Sequence, residues 1–193
     1  MGERPVVAKV ISEIQPDDVF YDIGANIGIY SCLISKVLTQ GEVVAFEPSP
    51  SNVVALSQNV ANNDSNITIA PVALADFTGL VGFELDGDHP GVGTHSISKA
   101  DGSEMRVGVF SGEQLISQGD LPAPDVLKID VEGAELSVLR GLQDQFSEIR
   151  RIFCEIHGGE TEEVQSFLRE NGFDIEVILD RESEQFIHAF KTG

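Results

Sequence analysis

Acidic residues close four apolar runs of this chain. Asp22 follows Val19-Phe20-Tyr21, Glu47 follows Val43-Val44-Ala45-Phe46, Asp130 and Glu132 follow Val126-Leu127-Lys128-Ile129, and Glu155 and His157 sit at the end of Ile152-Phe153-Cys154. A carboxylate at the end of a buried strand is stable only if a charged or hydrogen-bonding group meets it, so these positions are placed to bind. Asp22 suits a cationic ligand group, such as the ammonium of an amino acid, and would repel a phosphate. Glu47, 19 residues beyond Gly28 and at the end of the next strand, suits the two vicinal hydroxyls of a ribose. His157 can titrate near neutral pH and is the first candidate to take a proton from a hydroxyl, with Asp130 or Glu132 as alternatives.

The segment after Asp22 sharpens this. Gly24, Ala25, Asn26 and Gly28 form a small-residue turn, and Ile29, Leu33, Ile34 and Val37 then recur at helical spacing. Strand, tight turn and helix in this order leave backbone N–H groups at the helix start facing a ligand, and small residues let it approach the backbone. A dinucleotide turn would read G-x-G-x-x-G, which needs glycine at 26 or 22; Asn26 and Asp22 stand there. The pattern D-x-G-A-N-x-G instead resembles the first motif of class I methyltransferases that use S-adenosylmethionine. Asp22, Gly24, Ala25, Asn26, Gly28, Glu47 and Pro48 are therefore candidate cofactor-binding residues. Val72 and Ala73, at the exit of the third strand, are candidates for the adenine edge, and Asp130 for the methionine end.

These residues need an alternating scaffold, and the chain supplies one. Val6, Val7, Val10, Ile11 and Ile14 predict a short amphipathic helix over 5–15 that covers the sheet or the cleft. Strands are expected at 19–22, 41–47 and from 67, with helices from 28 to about 38 and over 50–62. Ser111, with Gln114 three residues on, reads as a capping box for a short helix. Strands at 125–130 and 150–157 are each followed by a helix. Strict alternation would put Lys128, Asp130 and Glu132 on one side if the strand runs that far. A lysine there needs an acidic partner. Phe173–Leu179 and Gln185–Phe190 flank a polar turn, so the last strand is antiparallel. Residues 77–110 lack helical periodicity and read as a β-rich insertion, with Leu80–Leu85 and Met105–Phe110 as a hairpin. The polar loop between them carries His89 and His95 and is a candidate for substrate recognition.

Length and composition bound the rest. A chain of 193 residues with 41% apolar and 23% charged content is expected to form a single domain over 1–193. Its net charge of −20 argues against nucleic acid and against anionic membranes as partners. Cys32 and Cys154 show neither metal-ligand nor disulfide spacing, so no metal site is expected, and free thiols suit a cytoplasmic location. Oligomeric state stays open.

Taken together, DIGANIGIYS at 22–31, AFEPSP at 45–50, VALAD at 72–76, KIDVEGAE at 128–135 and CEIHGG at 154–159 resemble the FkbM family of S-adenosylmethionine-dependent methyltransferases, over roughly residues 17–160. The resemblance implies an α/β, Rossmann-like, doubly wound and mostly parallel seven-stranded sheet with an antiparallel last strand. It implies S-adenosyl-L-methionine as cofactor, contacts at Asp22, the 24–28 turn, Glu47 and near Ala73, and O-methylation of a hydroxyl on a small molecule or sugar. Ser111-Gly112-Glu113-Gln114-Leu115 departs from the family's usual Thr-Leu-Asp-Asp-Leu-like stretch, which leaves the acceptor class open. Two alternatives stand beside this reading: a non-catalytic module that binds S-adenosylmethionine, and an NAD-dependent oxidoreductase.

Overall fold

A computed structural model describes residues 4–84, 96–98, 105–181 and 183–192. In chain order the elements are α1 (Arg4–Glu13), β1 (Val19–Ile23), α2 (Ile29–Ser35), β2 (Glu42–Phe46), α3 (Pro50–Asn62), β3 (Ile67–Ala70), β4 (Ala73–Leu74), β5 (Gly79–Glu84), β6 (Ser96–Ser98), β7 (Met105–Phe110), α4 (Gly112–Ser117), β8 (Val126–Ile129), α5 (Glu135–Arg140), β9 (Arg151–His157), α6 (Thr161–Glu170), β10 (Asp174–Asp180) and β11 (Glu184–Phe190). Seven strands form one sheet in the order β10-β11-β9-β8-β1-β2-β3. The neighbours from β3 to β9 pair in parallel. Strand β11 runs antiparallel to both β9 and β10. The doubly wound sheet with its reversed last strand is thus the one expected.

Side-chain alternation sorts the core onto two faces. Phe20, Val43, Val126 and Phe153 point to one face, where Val6 and Val10 of α1 and Tyr30 and Ile34 of α2 cover them. Tyr21, Val44, Leu127, Ile152 and Cys154 point to the other, under Val138 and Leu139 of α5 and Val164 and Leu168 of α6. α1 therefore covers the sheet. The chain leaves β1 toward β2 on one side and returns through β8 and β9 on the other. This puts the switch in strand order between β1 and β8, where α/β sheets bind ligands at the carboxyl ends of their strands.

The β-rich insertion forms a second sheet in the order β4-β7-β5-β6. Leu80 to Phe83 pair antiparallel with Gly108 to Met105, as the alternation predicts. The loop at 85–95, including His89 and His95, lies outside the described residues.

Three local expectations are corrected. α2 ends at Ser35 and continues only as turns toward Leu38. The capping box does not form: the Ser111 hydroxyl donates to the Gly141 carbonyl and Gln114 accepts from Thr78, which ties α4 to α5 and to the insertion. Strand β8 ends at Ile129 and Glu132 takes a φ of 44°, so Lys128, Asp130 and Glu132 do not share one extended face. Among the described residues no helix is long and apolar enough to cross a membrane.

Candidate active site

The turn after β1 is shaped by close approach. Gly24 has a φ of 78°, and a Cβ there would lie 1.9 Å from the Asp130 carbonyl oxygen, so the loops after β1 and β8 touch backbone to backbone. Gly28, at φ 84°, faces the side chain of Leu56 in α3, whose Cδ1 would lie 2.2 Å from a Cβ there. Ala25 is buried against Ala45 and Leu56. The amides of Gly24 and Ala25 both donate to the Phe46 carbonyl at 3.0 Å, and the Asn26 amide donates to Glu47 Oε2 at 2.8 Å. Those three N–H groups hold the end of β2 against the turn, and in the first turn of α2 the Ser31 amide donates to Asp22.

A hollow of about 750 Å³ opens at this point. Gly24, Asn26, Glu47, Pro48, Asn52, Asp130, Glu132 and Ala134 line it. Phe46, Val72, Ala73, Leu74, Phe83 and Val131 give it an apolar wall. Glu47 Oε1 also accepts from the Ser49 amide at 2.8 Å, so the carboxylate is held in place from both sides. Asn52 Nδ2 stands 3.5 Å from Oε1 as a further donor. Eight of the expected site residues therefore meet around one space: Gly24, Asn26, Glu47, Pro48, Val72, Ala73, Asp130 and Glu132. Ala25 and Gly28 shape the turn without lining it. Phe83, Asn52 and Val131 were not anticipated. Phe83 belongs to the insertion, and nothing local in its sequence marks it as facing β2.

Asp22 is corrected. Its side chain is fully buried and does not line the hollow. Oδ2 accepts from the amide and the hydroxyl of Ser31, at 3.0 and 2.6 Å, which fixes the first turn of α2. Oδ1 lies 3.4 Å from Lys128 Nζ, so the cation that Asp22 requires is supplied from within the protein. Lys128 Nζ also meets Asp130 Oδ2 and the Gly24 carbonyl, each at 3.2 Å, and lies 5.1 Å from the centre of the Tyr30 ring. Burial by itself would lower the lysine's pKa; the charges of Asp130 and Asp22 outweigh it and raise the pKa above the ordinary lysine range.

His157 is corrected as well. The ring does not line the hollow. Nδ1 sits 2.8 Å from Oε1 of Glu135, which is fully buried and also accepts from the amides of Gly133 and His157. Nε2 lies 3.9 Å from both Asp130 Oδ1 and Glu132 Oε2. The bond to Glu135 raises the imidazole's pKa, burial opposes it, and the charges of Glu132, Asp130 and Glu135 carry it to about 9. At neutral pH the ring is a cation and has no lone pair for a substrate proton. Glu132 is shifted the other way for a carboxylate: burial raises its pKa, while His157 opposes. Glu155, His157 and Glu184 each offer a ligand atom within 4.8 Å of the others, a spacing open to a cation, although His157 Nδ1 is already engaged by Glu135.

The model of the methyltransferase FkbM domain matches residues 22–175. The hexuronic acid methyltransferase AglP of Haloferax volcanii is 33% identical over 187 residues, which span 96% of this chain and 76% of the relative. The 31-O-demethyl-FK506 methyltransferase FkbM of Streptomyces tacrolimicus is 28% identical over 200 residues, covering 87% of this chain and 77% of the relative. Among solved structures, a precorrin-6y C5,15-methyltransferase from Geobacter metallireducens superposes with a TM-score of 0.65 at 18% identity, covering 100% of this chain and 90% of its own, and shares the fold.

Proposed function

The chain belongs to the FkbM methyltransferase family, and from that premise we propose that it methylates a hydroxyl group of a small molecule, sugars included, with Glu132 receiving the proton. It is an enzyme that uses S-adenosylmethionine, so the NAD-dependent and non-catalytic alternatives fall away. The observation that carries the reading is a single hollow lined by Glu47, Asp130 and Glu132. The residues fit the cofactor: Glu47, fixed by the Asn26 and Ser49 amides, puts at the lining a carboxylate of the kind to which ribose hydroxyls donate, and Phe46, Val72, Leu74 and Phe83 offer an apolar wall to a purine.

When bound, the cofactor supplies a methyl group on a positively charged sulfur, which becomes a neutral thioether once the methyl has moved to the acceptor oxygen. Asp130 and Glu132 then have two tasks: to align the acceptor hydroxyl and to accept its proton as the O–C bond forms. Glu132 fits the second, because its raised pKa makes it a better proton acceptor than an ordinary carboxylate. His157, as a cation 3.9 Å from both acids, holds them rather than taking the proton itself.

Hexuronic acid is the group named for one relative, which supports a sugar as acceptor, and 2-O-methylation for another, NoeI of Sinorhizobium fredii, which supports an oxygen on it. The net charge of −20 supports a partner that is neither nucleic acid nor membrane, and a cytoplasmic setting belongs to the same reading. Transfer from methyl-labelled S-adenosylmethionine to a panel of sugars, alcohols, amines and carboxylic acids tests it. Label is expected on hydroxyl oxygen, and Glu132→Gln is expected to lower turnover about a hundredfold with cofactor affinity little changed. Label on nitrogen alone, or wild-type turnover in Glu132→Gln, would overturn it.

A further inference from the structure

Lys128 is a buried cation that the methyl-transfer step does not use, and its surroundings are unusual for a central strand. Three segments converge on its ammonium group: Asp22 from β1 at 3.4 Å, Asp130 from the loop after β8 at 3.2 Å, and the Gly24 carbonyl from the first turn at 3.2 Å. Asp22 is sealed from the hollow, whereas Asp130 lines it. Buried charges persist only in pairs, and here two acids share one base. Asp22, Lys128 and Asp130 together therefore carry one net negative charge, delivered at the only one of the three that faces the ligand.

The geometry points to Lys128 as a positioning residue that tunes the charge of the cofactor cleft: it neutralises one of two acids and ties the other, Asp130, to the Gly24 turn, so that the three together add one negative charge to a cleft that Glu47 and Glu132 also line. The inference rests on the hollow being the cofactor site. That negative charge favours a sulfonium over the thioether left after transfer. With the charge of Lys128 absent, two carboxylates bridged by it would face each other with no cation between them. With Asp22 neutralised and Lys128 retained, the net charge would be zero and the preference for the charged ligand would weaken.

The test is the ratio of affinities for S-adenosylmethionine and S-adenosylhomocysteine, measured by calorimetry at pH 7 on the full chain. Asp22→Asn keeps an oxygen for Ser31 and is expected to lower that ratio about tenfold, the size expected for loss of one nearby unit charge across a partly solvated space. The double variant Asp22→Asn with Lys128→Met returns the net charge to minus one, and its ratio is expected to return to within about threefold of wild type. A role in packing alone predicts the opposite, since two buried substitutions would do more harm than one. Equal weakening of both ligands by Asp22→Asn, or a double variant that folds but stays at the single variant's ratio, would overturn the assignment. If the double variant does not fold, the Asp22→Asn ratio decides by itself. Failure of the wild-type protein to bind either ligand would instead overturn the reading of the hollow.

Discussion

Glu135→Gln removes one charge beside His157 while keeping the side chain's length and an oxygen for the amides of Gly133 and His157. In the folded protein the bond to Glu135 is the leading reason that the imidazole is raised to about 9. In the unfolded chain it titrates near 6.5. The folded form thus binds the proton more tightly, so the stabilisation is complete below about pH 6.5 and is lost as pH rises through about 9. Over that interval the linkage amounts to about 3 kcal/mol at 1.36 kcal/mol per decade. With the ring 17% exposed, solvent screening brings the measurable part to about 2 kcal/mol. Urea unfolding of both proteins at pH 6, 7.5 and 10 reads it directly. The variant is expected to be less stable by about 2 kcal/mol at pH 6, with the gap closing toward pH 10. Differences in other titrating groups cancel between the two proteins. A penalty of the same size at pH 6 and pH 10, or a wild-type His157 that titrates near 6.5 by NMR, would refute the reasoning.

Two further outcomes follow from the same geometry. Glu47→Ala is expected to weaken S-adenosylmethionine binding by about tenfold or more, because it removes charge-assisted acceptors and frees the Asn26 and Ser49 amides; unchanged affinity by calorimetry would remove Glu47 from the pocket. Gly24→Ala places a methyl group 1.9 Å from the Asp130 carbonyl at a φ of 78°. It is expected to lower stability by about 2 kcal/mol or more in thermal or urea unfolding and to weaken the cofactor in parallel; a variant as stable as wild type would show that the two loops do not need this contact.

The alternating scaffold was legible because its signals are local. Apolar runs such as Val43–Phe46 and helical spacings such as Val53, Val54, Leu56 and Val60 repeat within a few residues, and α3 forms where they predict it, with Leu56 buried and Val54 exposed against expectation. The meeting of Glu47, Asp130 and Glu132 around one hollow was legible for a related reason: strands joined by right-handed crossovers bring their carboxyl ends to the same edge. The hairpin of β5 and β7 was read from alternation, but not the placement of Phe83 in the wall of that hollow, which depends on how one sheet docks against another.

Sequence by itself determined which residues carry charge, which strands are buried, and that acids close those strands. It did not determine what each acid faces. Asp22 was expected to meet a ligand cation, yet Lys128, more than a hundred positions away, meets it inside the fold. His157 has an ordinary imidazole's chemistry in isolation, but the folded chain gathers Asp130, Glu132 and Glu135 about it and makes it a cation at neutral pH. The reason is physical: the charge state of a buried group is a sum over neighbours in space, and only the tertiary structure selects those neighbours.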